Sequence, residues 1–341
     1  MKPLTHSDLF RKAYKTSHSL IILVLFASQC FAQTKNLPGP SLTNIQNRYG
    51  LDPKSSFLSR VDSTPGDIIS DFREAGMSPT EHPLTGEEQK IVSEAFNALP
   101  PLHRQVLKQH LKSISFLDNM PNTALTSPVT KDEDAFKLYH ITFRAGILHQ
   151  TISDWVTEKE RGCFVKGDSA ATVSIQAGIL SALTYVMLHE GTHVVDGSLG
   201  IIAADTVAGI TKQNAFTKEF AQGLWKDINR HAWLFPDSIL TKSRFRPGGR
   251  PFPAADATRV YAALSQTPFV SLYGMASWHE DLAELFTIYH LTHTLKQPFR
   301  LVVKQYGKEI FSYEPMKAPL VKKRSRLLRR FYATQRPLHP R

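Results

Sequence analysis

The stretch LHEGTHVVDG, residues 188–197, decides how the rest of the chain is interpreted. At its centre His189, Glu190 and His193 form the pattern H-E-x-x-H. On a helix, residues four apart project from one face, so both imidazoles can reach a single metal ion. The preceding residues ILSALTYVML are apolar on nearly every side, which predicts a buried helix. Buried polar groups need partners, because each unpaired one costs about 1–3 kcal/mol, and a metal ion would supply a shared partner.

The chemistry of this pattern is that of a zinc site. We predict that His189 and His193 bind Zn²⁺, which lowers the pKa of a bound water towards neutrality. Glu190 stands beside the first histidine and is predicted to be the general base that takes the proton of this water. Two core histidines satisfied by ordinary hydrogen bonds remain the alternative, since H-E-x-x-H alone is only suggestive.

A catalytic zinc site also needs a third protein ligand. The metzincin pattern is excluded, because it requires glycine at position 196 and histidine or aspartate at position 199, where this chain has aspartate and leucine. The better candidate lies 87 residues after His193, in YGMASWHEDLAELFTIYH, where Glu280 and Glu284 are four apart among large apolar residues. One glutamate can bind the metal while the other accepts a hydrogen bond from a ligand histidine. Asp196 is predicted to do the same for the ring of His193.

The segments HEGTHVVD and YGMASWHEDLAELF together resemble the gluzincin peptidases of the anthrax lethal factor type, over about 30 of the 341 residues. The resemblance implies an α+β, mainly helical, zincin-like domain with a small β-sheet and an H-E-x-x-H active-site helix. It also implies the roles of metal ligand for His189, His193 and Glu280, of catalytic base for Glu190, of outer carboxylate for Glu284, and of oxyanion-stabilising tyrosine for Tyr273. Substrate identity does not transfer, because the interval between the motifs is longer here and the N-terminal regions share nothing.

In such enzymes an edge strand usually runs beside the motif helix and pairs with the extended substrate. Our candidate is the segment 136–148, which is rich in β-branched and aromatic residues, as is 113–118. Both segments precede the motif region, which gives the order typical of an α+β domain.

Helical periodicity and capping signals predict most of the remaining elements. Thr85 and Glu88 form a capping box at the start of one helix, and the pair Pro100-Pro101 separates it from the next. Further helices are predicted at 151–162, 173–195, 216–235, 256–266 and 277–295, a Pro- and Gly-rich loop at 244–253 and a hairpin at 301–313.

The first 32 residues have the layout of a signal peptide, with basic residues, the apolar run LIILVLFAS and small residues before a cleavage site. We predict cleavage after Ala32 and a secreted or periplasmic protein. A membrane anchor is disfavoured because the run is about half of the ~20 residues that a bilayer span needs, and no later stretch is long and uncharged enough. A lipoprotein anchored through Cys30 is the weaker alternative, since Gln29 precedes it where a small residue is wanted.

The mature chain is predicted to have three parts. Residues 33–80 are expected to be loosely ordered, residues 81–316 to form the metallopeptidase domain, and residues 317–341 to form a basic tail. That tail contributes +9 of the formal net charge of +11. It suits a basic amphipathic helix on an anionic surface, and a C-terminal helix packed through its leucines is the alternative. Nothing suggests sequence-specific recognition of nucleic acid.

The leading hypothesis is an exported zinc metallopeptidase that acts on peptide or protein substrates. An exported zinc-binding interaction module without turnover, a metallohydrolase acting on a non-peptide amide such as cell-wall material, and a helical domain without metal are the alternatives. The retained Glu190 favours an enzyme, because a structural zinc site needs no base beside an open position.

Overall fold

The computed structural model describes residues 41–165, 170–207 and 210–332. For residues 204–207 and 210–212 it describes the backbone only. The predicted signal peptide, residues 1–32, lies outside these ranges. Within them, no helix combines the length and the apolar character that a membrane crossing requires.

The described chain is a mixture of helices and small sheets, which confirms the α+β class. The α-helices are α1 Leu42–Arg48, α2 Gly66–Glu74, α3 Gly86–Asn97, α4 Pro101–His110, α5 Ile152–Arg161, α6 Ala182–Leu199, α7 Ala215–Ala221, α8 Ala257–Ser265, α9 Trp278–His293 and α10 Pro319–Ser325. The strands are β1 Thr80–Glu81, β2 Leu111–Asp118, β3 Ala124–Pro128, β4 Tyr139–Arg144, β5 Phe164–Val165, β6 Ala171–Gln176, β7 Ala204–Val207, β8 Ile210–Gln213, β9 Phe252–Pro253, β10 Arg300–Gln305 and β11 Lys308–Tyr313.

The larger sheet has the strand order β1-β2-β4-β3. Strands β2 and β4 are parallel, whereas β3 runs antiparallel to β4 and occupies the end of the sheet. The two strands predicted from sequence are confirmed at 111–118 and 139–144, and residues 145–149 form a 3₁₀ turn. The candidate edge strand within 136–148 is wrong, however, because β4 is paired on both sides and the edge is β3.

A second sheet has the order β11-β10-β6 and contains the hairpin predicted at 301–313. Its third strand, β6, corrects the helix predicted at 173–195, which begins only at Ala182. Val173 and Ile175 alternate with more exposed neighbours, as in a strand. Gly178 then adopts a φ of +85°, and Ser181 caps the helix through the backbone N–H of Leu183. The segment predicted as one helix therefore contains most of a strand, a turn and a helix.

The predicted helices at 151–162, 256–266 and 277–295 correspond to α5, α8 and α9, and Thr85 and Glu88 form the predicted capping box of α3. The helix predicted at 216–235 is too long, because α7 ends at Ala221 and Gly223 follows with a φ of +69°.

The prediction of a loosely ordered segment at 33–80 is wrong for residues 41–80. They form α1, α2 and a 3₁₀ turn, and Ile45 and Phe72 are fully buried. The segment is rich in Pro, Ser and Asn, a composition that favours loose order, but some of these residues are helix caps, such as Ser41 before α1.

The basic tail packs onto the domain as far as residue 332. Val321, Leu328 and Phe331 belong to the main hydrophobic core, and the guanidinium of Arg324 is buried against Asp281. This arrangement matches the alternative of a C-terminal helix packed through its apolar side. Attraction to an anionic surface would therefore have to rest on exposed basic side chains alone.

Candidate metal centre

Helix α6 carries the H-E-x-x-H motif through the centre of the molecule. Its residues from Ala182 to Asp196 are all buried, and Gly200 ends it in the left-handed conformation, with a φ of 58°. It packs against α9, α4, α3 and α5, and also touches β3. The motif side chains are thus fixed in a rigid, buried frame.

Helix α9 brings the second motif to the first. Ser277 caps this helix by accepting a hydrogen bond from the backbone N–H of Glu280. The Nε2 atom of His189 lies 3.0 Å from Oε2 of Glu280, and the Nε2 atom of His193 lies 3.6 Å from the same oxygen. The two Nε2 atoms are 3.2 Å apart. The three predicted ligands therefore converge although Glu280 lies 87 residues after His193.

These three side chains fit a metal ion. All are buried, and their ligand atoms lie within 4.8 Å of one another. Tetrahedral zinc with bonds of about 2.0–2.1 Å holds its ligand atoms about 3.3 Å apart, which matches the separations here. No other group of three or more histidine, cysteine or acidic side chains meets this criterion in the described part of the chain.

Glu284 lies one helical turn beyond Glu280, as predicted for an outer carboxylate. Its Oε1 atom is 3.2 Å from Nδ1 of His189 and accepts hydrogen bonds from Tyr185 at 2.9 Å and Lys159 at 3.2 Å. Its Oε2 atom accepts a 2.6 Å hydrogen bond from Ser271. A carboxylate beside Nδ1 favours the tautomer of His189 that presents a lone pair on Nε2, as a metal ligand must.

The two buried carboxylates, Glu280 and Glu284, favour a positive charge in the space between them and the histidines. Burial alone would lower the pKa of His189, but hydrogen bonds and charge from Glu280 and Glu284 raise it to about 10. Burial would raise the pKa of Glu280, yet His193 and His189 bring it well below its ordinary value. In the same way Lys159 and His189 overcome burial and lower the pKa of Glu284 to about 2. Both carboxylates are therefore ionised at neutral pH.

Glu190 points towards the cleft beside the three ligands. Its Oε2 atom accepts a 2.5 Å hydrogen bond from the hydroxyl of Thr126, on the edge strand β3. Sequence reasoning missed Thr126, because neither a motif nor helical spacing connects it to α6. Its contact with Glu190 depends on how the sheet packs against the helix.

Tyr273 lies in the 3₁₀ turn Tyr273–Met275, just before α9. Its ring stacks on His189, with centroids 5.7 Å apart, and the ammonium of Lys159 lies 4.2 Å from its centroid. Burial and the carboxylates of Glu280 and Glu190 raise its pKa well above the ordinary value, so the phenol is neutral at neutral pH. The structure therefore places Tyr273 beside His189 in the cleft lining, and its role as oxyanion donor stays a prediction.

Asp196 is also near the site, with different partners. It accepts hydrogen bonds of 2.6 Å from Nδ1 of His279 and from the backbone N–H of Ile202. Its predicted role beside His193 stays a prediction. The contact of His279 with Asp196 links α9 to the end of α6.

A cleft opens over the metal-ligand group. Its walls are formed by residues from β3 and the preceding turn, from helices α5 and α6, and from the loop 244–253; they include Asn122, Ala124, Trp155, Lys159, Val186, Arg244, Phe245 and Tyr273. Arg246 anchors that loop by donating hydrogen bonds to the carbonyls of Met275 and Ala276. The Pro- and Gly-rich loop predicted at 244–253 therefore borders the cleft.

Comparison with protein-family models, with curated proteins and with solved structures finds no match for this chain.

Proposed function

We propose that this protein is a zinc-dependent metallopeptidase. The observation that carries the proposal is the convergence of His189, His193 and Glu280, with Glu190 and Tyr273 facing the same cleft. A site that served only to hold structure would have no use for a carboxylate base beside three ligands. We propose further that the enzyme is of the gluzincin type and that residues 1–32 direct its export.

A zinc ion held by these three side chains would polarise a substrate carbonyl and lower the pKa of a coordinated water. Glu190 then accepts the proton of the attacking water and delivers it to the nitrogen of the leaving amine. The Thr126 hydroxyl donates a hydrogen bond to Oε2 of Glu190, and this bond orients the carboxylate towards the cleft. The neutral Tyr273 phenol donates a hydrogen bond to the oxygen on which negative charge develops.

The edge strand β3 supports a peptide rather than another amide as substrate. It pairs with β4 on one side only, and Ala124 and the residues before it line the cleft. An extended peptide can add to such an edge through main-chain hydrogen bonds, which a substrate without a peptide backbone cannot copy. A non-peptide amide remains the second candidate within the same chemistry.

The deciding experiment is the zinc content of the purified protein beside that of the His193→Ala and Glu280→Ala variants. We expect one zinc per chain in the wild type and loss or strong weakening of binding in both variants, because each removes one of three ligands. His293→Ala, at an exposed histidine of α9, is the matched control and should bind zinc normally. A folded wild-type protein that takes up no zinc after reconstitution would overturn the proposal.

Turnover is tested separately, by incubating the zinc-loaded protein with a mixed peptide library and identifying products by mass spectrometry. New peptide termini that depend on Glu190 are expected. Stoichiometric zinc without cleavage of any peptide would instead support the zinc-binding module.

A further inference from the structure

Arg244 is a cation in the cleft wall that forms no ion pair with a described carboxylate. The buried Glu160 is near enough to interact with its charge, but the hydrogen bond of that carboxylate comes from Tyr261. The Nη1 atom of Arg244 donates to the carbonyl oxygen of Gly162, and its Nε atom is buried without a hydrogen bond. Among the described residues, no carboxylate lies within ion-pair distance of its guanidinium. A buried or half-buried charge normally has such a partner, because its desolvation is otherwise uncompensated.

The other charges that line the cleft are balanced. Lys159 pairs with Glu284, whose side chain is 1% exposed. Glu280 belongs to the metal-ligand group and Glu190 faces it, so a divalent ion would offset both carboxylates. Arg244 is then the charge without a counterpart in the lining formed by the described residues.

The position of Arg244 suits contact with a substrate. It precedes Phe245, whose ring lies 5.0 Å from the ring of Tyr273, and Tyr273 in turn stacks on His189. The guanidinium carbon of Arg244 lies 5.5 Å from the centroid of the Phe245 ring, and Phe245 and Trp155 together give the cleft an apolar surface. This surface can cover the methylene groups of a short side chain while the guanidinium binds its charged end.

We propose that the cleft recognises a carboxylate of its substrate through Arg244. A guanidinium is a planar array of donors that matches a carboxylate, and the bond is strong where water is partly excluded. The carboxylate is either the side chain of an acidic residue near the cleaved bond or the C-terminal carboxylate of the peptide. This inference rests on the proposed function for the nature of the ligand, and it assigns Arg244 a role in specificity.

The test measures binding, so that it does not depend on turnover. Zinc-loaded Glu190→Gln protein is titrated with rhodamine-labelled, alanine-rich peptides of about eight residues, which carry a central Glu or Gln and a free or amidated C-terminus. The dissociation constants are read from fluorescence anisotropy. The four peptides distinguish a side-chain carboxylate from a terminal one. Glutarate, a carboxylate without a peptide bond, is titrated in parallel by isothermal titration calorimetry.

We expect one of the two carboxylates to tighten binding at least tenfold over its neutral counterpart. Arg244→Gln should abolish this ratio, Arg244→Lys should keep part of it, and Arg250→Gln, at an exposed arginine of the same loop, should leave it unchanged. If Arg244 only supported the loop, its loss would weaken charged and neutral peptides equally.

Where the peptides bind, two outcomes would overturn the inference: four peptides that bind equally, or a ratio that survives Arg244→Gln. Equal binding would leave the peptidase proposal standing. Binding of glutarate that requires Arg244, without binding of any peptide, would support the carboxylate site and count against a peptide substrate. Absence of binding by both peptides and glutarate would overturn the carboxylate site.

Discussion

Glu284 lies beside the three proposed metal ligands and contacts one of them, His189. Hydrogen bonds from Tyr185, Lys159 and Ser271 hold its carboxylate in place, and its pKa of about 2 keeps it ionised. An ionised carboxylate beside Nδ1 favours a proton on that nitrogen, which leaves Nε2 as the atom available to a metal ion. Lys159 contacts the ring of Tyr273 as well, so one buried network positions a ligand and the proposed oxyanion donor.

Glu190→Gln separates metal binding from chemistry. The amide keeps the shape of the side chain but cannot accept a proton from water, so we expect zinc content to be unchanged and kcat/KM to fall by at least about 10²-fold. Zinc analysis and peptide hydrolysis on the same preparation check this. A variant that hydrolyses peptide at the wild-type rate would refute the proposed role of Glu190.

Tyr273→Phe removes one hydrogen-bond donor and leaves the ring stacked on His189. We expect kcat to fall by about 10²-fold with KM little changed, because the phenol acts on charge that develops in the transition state. Steady-state kinetics measure the effect, and Tyr289→Phe on α9 is the control. An unchanged kcat would show that Tyr273 only packs against the site.

At the level of elements, a polar cluster joins the larger sheet to α3. His82 follows β1, and its two ring nitrogens lie 3.1 Å from Asp118 at the end of β2 and 3.0 Å from Glu88 on α3. Glu88 also completes the capping box with Thr85. The start of α3 is therefore attached to the sheet through charged groups.

This cluster predicts a pH dependence of the free energy of unfolding. Burial opposes protonation of His82, but hydrogen bonds to Asp118 and Glu88 outweigh it and raise its pKa above 6.5. The contribution of His82 to the free energy of unfolding is therefore complete below about pH 6.5. It is lost as the pH rises through the raised pKa of His82 in the folded state. For Glu88, hydrogen bonds from Thr85 and His82 outweigh burial and lower the pKa from 4.5 to about 2, so its contribution is lost as the pH falls from 4.5 towards 2.

Urea unfolding at a series of pH values tests both signs. The contribution of His82, taken as the difference from His82→Gln, should be largest between about pH 4.5 and 6.5 and should shrink on the alkaline side. The exposed His293→Gln is the control for losing a histidine elsewhere. A difference that does not change above pH 6.5 would contradict the assignment.

At the level of the whole molecule, the C-terminal segment is fastened to the helix that carries Glu280. Arg324 of α10 forms a two-point ion pair with Asp281 of α9, to which Trp225 also donates at 2.8 Å. The guanidinium lies over the ring of Phe220, 4.1 Å from its centroid. Three separate parts of the chain thus meet at one buried carboxylate.

Arg324→Gln should lower the free energy of unfolding by about 3–5 kcal/mol, because it leaves the buried Asp281 carboxylate without its counter-charge. Chemical denaturation measures the loss, and Arg326→Gln, at an exposed position two residues further on, should change stability little. Equal stability of the two variants would show that the buried pair does not hold the C-terminal segment.

Local pattern was enough to determine several features of this protein. The spacing of His189 and His193, the capping box at Thr85 and the turn of the hairpin at 301–313 depend on residues close together in the chain, so their geometry follows from helix and strand periods. The pair Glu280 and Glu284 was selected because both lie on one helix in an apolar setting, and the resemblance then implied Glu280 as the ligand. The α+β class likewise followed from the order of the elements.

Only the tertiary structure decided which distant groups meet. It divided the predicted helix 173–195 into β6 and α6, since the backbone of Val173 and Ile175 pairs with β10 while their side chains pack in the main core. It also made β3 the edge strand and brought Thr126 to Glu190 and Arg244 to the cleft wall. These outcomes depend on sheet pairing and on packing between elements far apart in sequence. Such contacts cannot be predicted from one segment alone, because their contribution to stability depends on the residues of both segments that meet.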